Sequence, residues 1–176
     1  KRISGGYRDN SASDYDGQGL ALQFSAVENL KIKAEVFRSN YLYRIPGPLT
    51  DAQFAENPRQ ATRSRNYFNP ELLLPALSLE WQIGPQTRLA WTASAVLGER
   101  RSVQFDRPAT VRDTINAATL AYGERQVDID GFNSFTTELR LLQEYILFGE
   151  KSVLSAGVQY IHNNMSRRQQ GKGSTG

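Results

Sequence analysis

Residues 77–97 read LSLEWQIGPQTRLAWTASAVL, and their period decides the fold. Leu77, Leu79, Trp81 and Ile83 alternate with Ser78, Glu80 and Gln82, the chain turns at Gly84-Pro85-Gln86, and Leu89, Trp91, Ala93, Ala95 and Leu97 then alternate with Arg88, Ala90, Thr92 and Ser94. Side chains of a strand point to opposite faces in turn, so this pattern predicts two antiparallel strands with one apolar and one polar face. Gly and Pro side by side mark the turn between them.

Working outward, the same pattern recurs twice. Leu20, Leu22, Phe24 and Ala26 alternate with Ala21, Gln23 and Ser25. After Val27-Glu28-Asn29, Leu30, Ile32, Ala34 and Val36 alternate with Lys31, Lys33 and Glu35. The phase slips at Val36-Phe37, after which Phe37, Tyr41 and Tyr43 take the apolar parity, as a β-bulge near a sheet rim would produce. Further on, Phe135, Thr137, Leu139, Leu141 and Tyr145 stand opposite Thr136, Glu138, Arg140 and Glu144. A turn near Phe148-Gly149-Glu150-Lys151 then leads into Leu154, Ala156, Val158 and Tyr160. About six strands as three hairpins are expected.

Turns within the hairpins are a few residues long, whereas the connections between them run from about Arg44 to Leu72 and from about Asp106 to Gly131. Loops of that length are uncommon in compact domains and usually functional. Short turns at one end and long loops at the other are the pattern of a transmembrane β-barrel of the bacterial outer membrane. The expected fold is therefore all-β, an antiparallel transmembrane β-barrel segment. Two aromatic girdles agree with it, one of Trp81, Trp91, Tyr145, Phe148 and Tyr160, the other of Phe37, Tyr41, Tyr43, Tyr67 and Phe68. A soluble β-sandwich shares the alternation, but its turns recur every 8 to 12 residues or so.

Composition narrows the chemistry. The chain has 176 residues, no Cys, one His and a net charge of +3. Disulfides, thiolate catalysis and Cys-ligated metals are excluded, and no window holds the roughly 18 to 20 continuous apolar residues of a transmembrane helix. No signal peptide is visible at Lys1 and Arg2, and the polar, Gly-rich ends fit a piece of something larger. His162 beside Asn163 and Asn164 is a rim residue. Asp14-Tyr15-Asp16-Gly17-Gln18-Gly19 lacks the distal Glu of a calcium loop, and Gly171-Lys172-Gly173-Ser174-Thr175 lacks the order and context of a phosphate loop. Asn164-Met165-Ser166 is a chance sequon. No catalytic arrangement is present, so the chain reads as no enzyme, with no cofactor and no metal ligands of its own. Nucleic acid is not expected either, for want of a basic stripe with interleaved aromatics.

Arginines concentrate near the long connections: Arg44, Arg59, Arg63 and Arg65 in the first, Arg100, Arg101, Arg107, Arg112 and Arg125 in or beside the second, and Arg167 and Arg168 beyond the last strand. Guanidinium forks suit an anionic ligand with several carboxylates. A solvated loop surface, or pairing with lipopolysaccharide phosphates, is the other reading, because Asp51, Glu56, Glu99, Asp106, Asp113, Glu124, Asp128 and Asp130 share the region.

Three stretches carry a resemblance. The run from Gly6-Tyr7-Arg8-Asp9-Asn10-Ser11 through Ile45-Pro46-Gly47-Pro48-Leu49-Thr50 to Gln60-Ala61-Thr62-Arg63-Ser64-Arg65 resembles barrel segments of TonB-dependent outer-membrane receptors of the ferric-dicitrate type. So do Arg125-Gln126-Val127-Asp128-Ile129-Asp130, Thr137-Glu138-Leu139-Arg140 and Gly157-Val158-Gln159-Tyr160. The resemblance implies that residues 1–176 form part of a 22-stranded barrel, closed in the whole receptor by a plug outside this stretch. Its partners would be a ferric chelate at the outer face, TonB acting through the plug, and outer-membrane lipids. In that family loop arginines and glutamines hold citrate carboxylates. Arg63 and Gln60 match residues of the corresponding loop motif, while Ser64-Arg65-Asn66-Tyr67-Phe68 departs from the ferric-dicitrate pattern. Arg65, Arg125 and Gln126 are candidates from loop position and chemistry alone. Binding and active import of an anionic ferric chelate is the expected function; a passive porin or solute channel shares every alternation signal, and an outer-membrane hydrolase would need a partner for His162.

Overall fold

The computed structural model describes residues 2–173, and of the side chains of Ala26 and residues 170–173 nothing is said. Ser174 and Thr175 of the Gly-rich tail therefore lie outside the described residues, as does Lys1. Seven strands follow one another in a single sheet in chain order: β1 (Arg2–Ser4), β2 (Ser13–Val27), β3 (Leu30–Arg44), β4 (Tyr67–Gly84), β5 (Thr87–Gln104), β6 (Arg125–Leu147) and β7 (Glu150–Gly173). Every neighbouring pair is antiparallel. The three expected hairpins are β2–β3, β4–β5 and β6–β7, and β1 is a short addition that the alternation did not reveal. One helix, α1 (Asp51–Glu56), interrupts the first long loop; Thr50 caps it by accepting from the Gln53 amide at 3.2 Å, while the Gln53 side chain accepts from the Thr50 amide at 2.9 Å.

A β-sandwich needs two sheets burying a common core, and this chain forms one open sheet. Among the described residues only Val103 and Val127 are buried hydrophobics, whereas Leu77, Leu139 and Val158 are 39%, 39% and 66% exposed. The sheet thus presents a bare apolar face, which overturns the soluble sandwich as a reading of this chain.

Register assigns each side chain to a face, because directly paired residues of an antiparallel ladder share one. Ile32↔Leu79↔Trp91↔Leu139↔Val158 is one row of the apolar face. Lys33↔Ser78↔Thr92↔Glu138↔Gln159 is the neighbouring row of the polar face. On the apolar face the belt ends where Arg38, Glu71, Glu99 and Arg101 follow Val36, Leu73 and Leu97, and Arg38 pairs with Glu71 and Arg101 with Glu99. A rim of ion pairs therefore borders the belt on the side of the long loops.

Several expectations need correction. Phe37 pairs with Gly19 and Leu74 in unbroken register on both sides, so there is no bulge at Val36-Phe37. The faces instead exchange chemical character there: beyond the belt the former apolar face becomes polar, and Phe37, Tyr41, Tyr43 and Phe68 sit on the face of Lys33 and Glu35. They form no girdle around the belt, although Trp81 and Tyr145 do stand on the apolar face near the turns. The long loops are also shorter than expected, spanning residues 45–66 and 105–124, because β4 and β6 begin well beyond the belt, where alternation no longer marks a strand; for the same reason the last strand runs on past His162 and includes Arg167 and Arg168, which were expected beyond it.

Gly98 has φ +141°, and a Cβ there would stand 2.1 Å from the Glu71 carbonyl oxygen. Close approach of β4 at the belt's edge thus requires glycine at this position.

Candidate functional site

Three connections meet at the loop end of the sheet. Arg8, between β1 and β2, donates from Nη1 to the Gly47 carbonyl (2.8 Å) and from Nε and Nη2 to the Gln60 carbonyl (3.1 and 2.8 Å). Asn10 donates to the Arg63 carbonyl at 2.8 Å. Loop 45–66 is thereby tied to the first connection, and its own arginine ties it to the next.

Arg63 is 1% exposed. Its Nε donates to the Phe105 carbonyl (3.0 Å), Nη1 to those of Thr62 (3.0 Å) and Val111 (2.8 Å), and Nη2 to those of Arg107 and Pro108 (3.3 Å). A guanidinium has five N–H donors, and all five are taken. The cation also lies 5.1 Å from the Phe105 ring centroid. Burial pushes its pKa down, with Asp113 opposing that shift.

Arg125 is equally buried. Its Nη2 donates to both Asp113 carboxylate oxygens at 2.6 Å, and neither side chain of the pair is exposed at all. Asn66 accepts from Arg125 Nη1 at 3.3 Å, and the Ser64 hydroxyl donates to Asp113 at 3.0 Å. This buried ion pair clasps loop 105–124 and the start of β6 to the end of loop 45–66. Gln60, 8% exposed, donates to the Gln53 carbonyl (2.6 Å) and accepts from Arg112 (2.8 Å).

The residues expected to hold a ligand thus divide. Arg63, Arg125 and Gln60 come together, but as clamps between loops, with their polar groups engaged by the protein except Arg125 Nε, which is buried without a hydrogen-bond partner. Arg65, half-buried, lies 4.6 Å from the Tyr122 ring centroid, and Gln126, also half-buried, donates to Asp128 at 2.8 Å. A shallow cleft of about 380 Å³ lies among Asp9, Asn10, Ser64, Arg112 and Thr114, above the clamps.

A second cluster lies on the polar face beyond the belt. Tyr15, Tyr41, Tyr43 and Phe68 form a continuous series with ring centroids 6.2, 5.3 and 5.3 Å apart. Arg100 lies 5.6 Å from the Phe68 centroid and, with Arg167, flanks Asp130 directly across β5, β6 and β7. Asp130 is 2% exposed, while the two arginine side chains are 40% and 52% exposed. Arg167, bonded to Asp130 at 2.7 Å, holds that carboxyl below the ordinary carboxylate range against the opposing effect of burial. Burial, then the neighbouring Tyr41, pushes the Tyr43 phenol up, so it stays neutral. Tyr41, Tyr43 and Phe68 were expected at this end as a lipid-side girdle, and only the register turns them, with Tyr15, onto the inner face shared with Arg100 and Arg167.

No family's sequence model matches the chain, and no curated protein matches it. Among solved structures it is similar to the crystal structure of the ferric citrate transporter FecA in its unliganded form, with a TM-score of 0.73 and 15% sequence identity. The match covers 92% of this chain and 23% of that one. The chain is an antiparallel β-barrel segment, folded as that part of the transporter is folded.

Proposed function

We propose that residues 1–176 are part of the barrel wall of a bacterial outer-membrane receptor that binds an anionic ferric chelate and imports it with energy relayed by TonB. The likeness to a ferric citrate transporter over nearly the whole chain is the observation that carries this reading. Physical arguments agree with it. On β4 the apolar face runs from Leu73 to Ile83; ten steps of about 3.3 Å, tilted by about 40°, rise about 25 Å, the height of an outer-membrane barrel's apolar band. The edges agree too. β1 covers β2 only at Ser13, Asp14 and Tyr15, and β7 ends the sheet. In hydrocarbon each unpaired backbone group costs several kcal/mol, so both edges call for further strands.

The apolar face then meets lipid and the polar face lines the interior. Arg63, Arg125 and Gln60 give the outer loops their shape, and Arg65 and Gln126 are the proposed loop contacts. The protein itself makes or breaks no bond; iron arrives already wrapped in ligand oxygens.

Iron-starved cells whose only receptor is the intact protein containing this chain should accumulate radiolabelled iron from one ferric chelate, and should cease to do so without TonB. Uptake indifferent to TonB would favour a passive channel, and failure with every chelate, the receptor being present in the outer membrane, would overturn the reading.

A further inference from the structure

The reading above leaves the class of chelate open, and the polar face addresses it. Citrate offers only carboxylates and a hydroxyl, and would call for guanidinium donors. Yet Arg63 and Arg125 are 1% exposed and engaged by carbonyls and by Asp113, and Arg112, the exposed arginine lining the outer cleft, gives its Nη2 to Gln60. Arg100 and Arg167 face the interior but share the Asp130 carboxylate, and Asp128 follows on the same face. Charge is balanced there.

Ring surface is what that wall does present. Tyr15, Tyr41, Tyr43 and Phe68 succeed one another across β2, β3 and β4, all on the inner face. Glycines lie beneath this series: a Cβ on Gly17 would stand 2.8 Å from the Tyr15 hydroxyl and 3.0 Å from its ring, and one on Gly19 would stand 3.2 Å from the Phe37 ring. Tyr15 and Phe37 therefore lie down against bare backbone and turn their other sides to the interior, each 39% exposed. Rings in a sheet more often interlock edge to edge in a core; among the described residues no second layer covers these. At the end of the series Arg100 lies against Phe68, its Nε buried and without a hydrogen-bond partner.

Resting on the receptor reading, we propose that this wall holds the chelate through the chelate's own aromatic rings, so that the ligand is an aryl, catecholate-type iron complex rather than an aliphatic carboxylate one. Offset stacking on Tyr41 and Tyr43 supplies the discrimination.

The test is equilibrium dialysis of the purified intact receptor in detergent against three radiolabelled iron complexes: a synthetic hexadentate tris-catecholate, ferric dicitrate and a hexadentate trihydroxamate. Catecholate and citrate complexes are both anionic, and of the two the catecholate carries rings, so the Tyr41→Leu/Tyr43→Leu variant isolates what the rings contribute. The wild type should bind the catecholate at least about tenfold tighter than the citrate complex. The Tyr41→Leu/Tyr43→Leu double variant should lose about tenfold or more of that preference, while Tyr43→Phe keeps it. Citrate or hydroxamate binding as tightly as the catecholate, or a catecholate preference that survives the double variant with its melting temperature unchanged, would overturn the aryl proposal and leave the receptor reading standing. Binding of none of the three would overturn both.

Discussion

Asp113→Ala should free loop 105–124 while leaving the sheet intact. The Arg125 guanidinium would then stand buried with no counter-charge, its carboxylate partner having supplied both oxygens at 2.6 Å in a pair with no exposed side-chain surface. Removing one partner of a buried ion pair typically costs about 3–5 kcal/mol, more than either half contributes alone, because the orphaned charge keeps its desolvation penalty. Since the pair ties the loop to the start of β6, that cost falls on local opening and raises the open population by about two to four orders of magnitude. Amide hydrogen exchange of residues 105–124 in the intact protein reads it directly. Strands β4 and β5 should keep their protection. Replacing both partners, as Asp113→Leu with Arg125→Met, should recover part of the loss, because no charge is then left unpaired. Unchanged exchange in the single variant would show that the ion pair does not hold the loop.

The second large effect is expected at Arg63. Its five donors bind carbonyls of Thr62, Phe105, Arg107, Pro108 and Val111, so that one side chain from loop 45–66 threads the first half of the other loop. Arg63→Met keeps the apolar stem and removes every one of these bonds. With each unsatisfied carbonyl costing about 1–3 kcal/mol when dry, and several of these able to reach water, the loss should be about 2–4 kcal/mol. Arg112 is exposed, so trypsin should cut after it about ten times faster or more, while the Arg107–Pro108 bond resists in both proteins. Lysine should not rescue the loop, since three donors on a point charge cannot reproduce a planar fork of five. Equal cleavage of wild type and Arg63→Met would remove the clamp from the account.

These two sites show where sequence reading reached its limit. The hairpins were legible because Leu77, Leu79 and Trp81 against Ser78 and Glu80 write their period into the chain, and because Gly84-Pro85 punctuates it. Loop asymmetry was legible for the same reason. Strand ends at Tyr67 and Arg125 were not, because beyond the belt neither face is uniformly apolar and the period fades. The change of parity at Val36-Phe37 was visible, but its cause was not: a bulge and an exchange of character between faces look alike until the ladder shows Phe37 in register with both neighbours. Arginine placement was the hardest. A guanidinium that binds carboxylates of a ligand and one that binds carbonyls 42 to 48 residues away have the same letter in the sequence, and carbonyls carry no side-chain signature. Arg100 and Arg167 were visible as loop-end arginines, yet only the three-strand register sets them on either side of Asp130.

The central claim is that this sheet stands in a membrane with Leu77 and Leu139 toward lipid and Ser78 and Glu138 toward a watery interior. Because the chain has no cysteine, each position can carry a lone thiol within it. Spin labels at Leu77→Cys, Ser78→Cys, Leu139→Cys and Glu138→Cys of the intact protein in liposomes would be scored by electron paramagnetic resonance for collision with oxygen, which concentrates in lipid, and with a water-soluble nickel chelate. The account predicts oxygen access at 77 and 139 and nickel access at 78 and 138, alternating residue by residue. Nickel access at all four, or the opposite alternation, would contradict it.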